Sequence, residues 1–154
     1  DEERQFAKEL TATFPVGPGM LGMMSKLMGG DAMALGKAMK ESILFEGVVP
    51  AIKTEATLPG SSDVGDVSWV TPTGQIMTTC HAFGTPGHSW QEVAQNGMSI
   101  GHKGMIYAGK VIAETAAAFL ADEALLKKAR DEFEERIKET PFVPLIPEGT
   151  RPPL

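Results

Sequence analysis

Apolar positions recur at helical spacing at three places along the chain. From Asp1 to Phe14 the residues Phe6, Ala7 and Leu10 share one face, and Glu2 and Glu3 stand in the first turn, where a helix dipole favours negative charge. This predicts a short amphipathic helix ending near Pro15. A longer pattern starts at Ser99, with Ile100, Ala108, Val111, Ile112, Thr115, Phe119 and Leu120 forming a stripe to about Leu120. Gly101, Gly104 and Gly109 interrupt it, each weakening a helix by about 1 kcal/mol relative to Ala, so close packing against a sheet is the expected compensation. Asp122 then caps a second helix to about Lys138, charged outside and apolar at Leu125, Leu126, Ala129, Phe133 and Ile137.

Elsewhere the pattern shortens. Ser61 or Ser62 is placed to cap a helix over 63–70. Thr71 to Gly74 reads as a turn, and Gln75 to Phe83 as a strand whose run Ile76, Met77, Thr78, Thr79, Cys80 suits burial. Gly84, Pro86 and Gly87 end that strand, which sets His88 just past its C-terminal end, the usual position of ligand crevices in open α/β sheets. The segment 46–57, with Val48, Val49 and Ile52 around Pro50, allows only an edge strand. The 15–45 stretch is rich in Met and Gly: Met20 to Met39 holds six methionines broken by Gly22, Gly29, Gly30 and Gly36, predicting broken helices. Methionine is adaptable, so this run is either gap-filling cover or a docking face for a partner. Residues 140–154 contain five prolines and should be extended. The expected fold class is therefore α/β, a few strands packed against two long C-terminal helices, within one domain over 1–154.

Composition narrows the function. Among 154 residues the net charge is −6, and Lys127, Lys128 and Arg130 are diluted by neighbouring acids, which argues against nucleic-acid binding. Cys80 is the single cysteine, so no intrachain disulfide forms and a reducing, cytoplasmic setting is expected. No apolar run approaches the roughly 20 residues needed to span a bilayer, so no membrane role is expected. The chain opens inside a helical pattern, at Asp1 rather than Met, which favours a segment of something longer.

Few side chains suit chemistry, and most lie between Gly60 and Val93. His88, on a glycine-rich turn, reads either as a metal ligand or as a structural histidine. Asp63 and Asp66, three apart on one face, are metal ligands, an acid and base pair, or carboxylates satisfying a helix dipole. His102 either supports a ligand from behind, contacts an anion, or packs at a helix end, and Cys80, mid-strand, is an inert thiol. His81 should face away from Cys80. Ser61, His88 and Asp63 could be drawn as a triad, but no G-x-S-x-G elbow supports it.

The segments GSSDVGDVSWV, CHAFGTPGHSWQ and SIGHKGMIYAGKVIAETAAAFL, in that order and spacing, resemble the closing portion of amidohydrolases in the aminoacylase-like, or carboxypeptidase-like, superfamily of co-catalytic metallopeptidases. The likeness covers nearly the whole chain and is firmest from Gly60 to Leu120. It implies that His88 binds one of two divalent metals, Zn or Mn, and that Ser62, Asp63 and Gly87 line the substrate cleft. The family's remaining ligands, its paired glutamates and its lid domain have no counterpart here, and Glu134 and Glu135 do not match the pair. No catalytic residue is therefore assigned. The resemblance implies hydrolysis of the amide bond of N-acyl or N-aroyl amino acids, aminobenzoyl-glutamate among them, by an enzyme that this segment completes and cannot replace. It also implies apolar faces that meet a missing N-terminal half, and homo-oligomers when that half is absent.

Overall fold

A computed structural model describes residues 1–15, 32–49 and 62–151. Among the described residues six helices follow in order: α1 (Glu2–Thr11), α2 (Ala32–Ser42), α3 (Val64–Val70), α4 (Trp90–Asn96), α5 (Ser99–Ala121) and α6 (Glu123–Ile137). They fall into two compact units, Asp1–Leu58 with Ile76–Ile112, and Pro59–Gln75 with Ala113–Leu154.

In the first unit the core is small. Ala7 from α1, Leu44, Ala82 and Ile100 from α5 are buried together, with Phe6, Ile43 and Met98 packed against them. The apolar face read for α1 is the face that is buried, through Ala7 and Leu10. Outside that face, Glu3 holds Lys103 at 2.8 Å and accepts from the Ser99 hydroxyl, fastening α1 to the start of α5. These donors hold the Glu3 carboxyl below the usual carboxylate range.

The expected α/β class is corrected: among the described residues there is no strand. Gln75 to Phe83 has no backbone ladder. Its polar side chains take over the pairing, Thr78 Oγ1 donating to the Gly104 carbonyl (3.0 Å) and Thr79 Oγ1 to that of Phe45 (2.6 Å). One backbone bond, Phe83 N–H to Ile43 O (2.7 Å), joins them. A threonine pair in mid-run supplies hydroxyl donors where a buried strand would need a neighbouring strand, and isolated bonds do not build a sheet. Nor is the run buried, since Ile76 and Met77 are 44% and 89% exposed. The edge strand at 46–57 and the Met-rich run at 20–39 lie largely outside the described residues. Of the latter, α2 is an unbroken helix over its 11 residues.

The glycines of α5 are used as expected, though not against a sheet. A Cβ on Gly104 would meet Cys80 Sγ at 2.5 Å and Thr79 O at 2.6 Å, and one on Gly101 would meet Asn96 Cα and Gln95 O, both at 2.8 Å. Gly109 faces open space. The stripe therefore splits: Ile100, Gly101 and Gly104 are buried, whereas Ile112 and Leu120 are exposed. At 23 residues α5 is the one helix among the described residues long and apolar enough to cross a membrane by length and composition, which corrects the expectation that no segment is. Small residues and sparse charge bring it there, and its first turns pack in the first unit.

The second unit holds α3, the end of α5, α6 and the tail. Asp122 caps α6 as read, its Oδ1 accepting from Ala124 N (2.9 Å) and Leu125 N (3.1 Å). Phe133 is buried, with the guanidinium carbons of Arg130 and Arg136 at 5.4 and 5.8 Å from its ring centre. Arg136 also donates to the Ser68 carbonyl of α3 (2.6 Å). Leu125 and Leu126, read as inward, are exposed, and so are Val143, Leu145 and Ile146 of the irregular tail.

Candidate functional site around His88

The turn from Ala82 to Ser89 is built on α4, a helix the periodicity does not suggest. Its seven residues are too few for a stripe, but Ser89 and Glu92 form the S-x-x-E signature of a helix start. Ser89 Oγ accepts from Glu92 N (3.2 Å) and donates to Pro86 O (2.6 Å). The Glu92 carboxylate reaches back to the N–H of His88 (2.7 Å).

Gln95 holds the other end of the turn. It is fully buried, its Oε1 accepting from Ala82 N (2.6 Å) and its Nε2 donating to Thr85 Oγ1 (2.9 Å) and Gln91 O (3.0 Å). Thr85 Oγ1 in turn donates to Ala82 O (2.8 Å), and buried Gln91 reaches Thr13 just after α1 (3.3 Å). One amide thus satisfies both a loop donor and a loop acceptor, which fixes the turn on the helix. The sequence singles out neither Gln91 nor Gln95. Their i, i+4 spacing is visible, but only the fold buries that face.

His88 sits in the left-handed region, at φ 56°. For a side chain with a Cβ this costs about 1–2 kcal/mol. Ile43, at φ 60°, shares that strain but packs on the core of the first unit, and its carbonyl is taken by Phe83. His88 has no such return. Its side chain is exposed, and among the described residues only its backbone N–H is bonded. Gly87 beside it has open space at the Cβ position. Among the described residues the imidazole has no hydrogen-bond partner, and it stands at a strained backbone position on a turn held by α4.

The other sequence candidates belong to other elements or are otherwise engaged. Ser62 and Asp63 are part of the second unit, both exposed; Ser62 Oγ accepts from Val64 N (3.2 Å) and meets Asp63 Oδ1 (3.4 Å), so it serves the start of α3. Asp66 is exposed in the first turn of α3. His81 Nε2 lies 2.7 Å from Asn96 Oδ1, and His102 is exposed on α5. Ser61 lies outside the described residues. Among the described residues no three His, Cys, Asp or Glu side chains gather closely enough to hold a metal ion. The chain therefore offers, among the described residues, single donors, His88 among them, and no complete metal site.

Over 153 residues, 98% of its length, the chain is 35% identical to one of the subunits of p-aminobenzoyl-glutamate hydrolase from Escherichia coli (strain K12). It spans 32% of that protein, about a third, consistent with a C-terminal part. No family model and no solved structure matches.

Proposed function

We propose that this chain is the C-terminal part of a metal-dependent amidohydrolase acting on N-acyl or N-aroyl amino acids, an aminobenzoyl-glutamate being the substrate its relative's name suggests. The observation that carries this reading is His88: a histidine kept at a left-handed position beside a glycine, with its ring bonded to nothing described, adds strain to the fold and offers an imidazole outward. An imidazole of this kind suits zinc, whereas manganese would rest more on carboxylate ligands supplied by the rest of the site.

Two such ions would supply polarisation of the scissile carbonyl and activation of water. His88 gives one ligand; the other ligands and the proton-accepting glutamate come from sequence beyond this chain. Gly87 leaves room beside the ring, and Ser62 and Asp63 contribute to the cleft wall of the complete enzyme. By itself the chain is inactive, since such ions need three or more protein ligands. Exposed Met77, Trp90 and Val93 suit burial against the remaining catalytic domain or a second copy. The relative is named as one subunit of its hydrolase, which favours a companion chain here as well. A reducing compartment suits the single free Cys80.

The test compares His88→Gly and His88→Ala in the full-length protein by metal analysis, hydrolysis and chemical denaturation. Both variants lose metal and activity, and His88→Gly is more stable than the parent by about 1 kcal/mol, because glycine adopts the left-handed region freely. Unchanged metal content, with stability lowered in both variants, would show a merely structural histidine.

A further inference from the structure

We infer that Glu92 is a positioning residue for His88, holding the backbone that aims the imidazole; this rests on the reading of His88 as a metal ligand. A left-handed residue with a Cβ persists only where its surroundings hold it. At His88 packing does not, because the side chain is exposed. What holds it is the ring of bonds closed through α4: Ser89 Oγ to Pro86 O, Glu92 N to Ser89 Oγ, and His88 N to the Glu92 carboxylate. The last bond is charge-assisted and, at 2.7 Å, short for an N–H donor. In the usual capping box the glutamate returns to the N–H of the cap residue itself. Here it bonds one residue further back, to the histidine.

The direction of a Cα–Cβ bond follows from φ and ψ. If His88 relaxed to the right-handed or extended region, its ring would leave the place where the turn now presents it. Glu92 thus acts on the imidazole through the backbone and need not approach a ligand.

Zinc alone serves as the probe, titrated by competition with a chelating dye into the metal-free full-length protein, beside crystal structures of each variant. Glu92→Ala is expected to release His88 from the left-handed region and to weaken zinc binding about tenfold, the lower end for outer-shell partners. Glu92→Gln, which keeps an oxygen acceptor, retains the turn and most of the affinity. Should Glu92→Ala fail to fold, Ser89→Ala removes the anchor of the Glu92 backbone and gives a smaller loss in the same direction. If His88→Ala leaves zinc affinity unchanged, the ligand reading of His88 falls and the positioning role with it. If His88→Ala weakens zinc but Glu92→Ala, or Ser89→Ala in its place, leaves both φ and affinity as they were, the positioning role alone is overturned.

Discussion

Replacing Gln95 by leucine is expected to destabilise the first unit by about 3 kcal/mol, among the larger effects available to one substitution in this chain. The side chains are similar in volume, so the cost is polar. Leucine leaves the N–H of buried Ala82 without an acceptor and withdraws a donor from Thr85 Oγ1 and Gln91 O. Gln95→Glu separates the contributions. Its carboxylate still accepts from Ala82 N but offers no hydrogen to Thr85 or Gln91, and a buried anion is costly. Burial raises the folded-state pKa of that new carboxyl above its unfolded value of about 4.3. A raised pKa means that the folded state binds the proton more tightly. The variant therefore comes nearest to the parent below about pH 4 and loses stability as pH rises through the folded pKa. Urea denaturation across this pH range, read against Gln95→Leu, measures the difference. A Gln95→Glu variant insensitive to pH would show that the amide is not buried as described.

Gly104→Ala is the second large effect. On propensity alone alanine would strengthen a helix by about 1 kcal/mol. The Cβ, however, would stand 2.5 Å from Cys80 Sγ and 2.6 Å from Thr79 O, and the latter is backbone that cannot turn aside. Forcing the two segments apart costs about 1–3 kcal/mol and also strains the bond from Thr78 Oγ1 to Gly104 O. Gly109→Ala, in the same helix with open space at its Cβ, isolates the propensity term and is expected to raise stability by up to about 1 kcal/mol. Opposite signs from two identical substitutions in thermal or urea melts would establish that packing, not helix propensity, selects glycine at 104. Equal signs would refute it.

These residues also mark how far the sequence can be read. Where a helix is long, its pattern suffices: α1, α5 and α6 stand within a few residues of their predicted limits, and Asp122 caps as its position before an apolar run implies. The glycines of α5 are legible as points of close approach, but not what approaches them, because Cys80 and Thr79 lie far upstream on a stretch with no helical period. That stretch reads as a strand because Ile, Met, Thr and Cys suit β structure, whereas the threonine hydroxyls bond to carbonyls of other elements. Helix α4 escapes the periodicity through its brevity, although Ser89 and Glu92 carry its signal. His88 is legible as a candidate from its glycine turn, but its left-handed backbone is not, since nothing local in GHS demands it.

The close seat of Cys80 gives the first unit an internal clock. Its sulfur is the only thiol in the sequence, half-buried, lying where a side chain on Gly104 would be and 3.6 Å from Thr78 Oγ1. A reagent meets the sulfur freely only when the first turns of α5 lift from residues 79 and 80, and otherwise attacks it through the part that is exposed. The ratio of its alkylation rate to that of an unstructured thiol therefore sets an upper limit on how often that helix end opens, and so a lower limit on the free energy of local unfolding there.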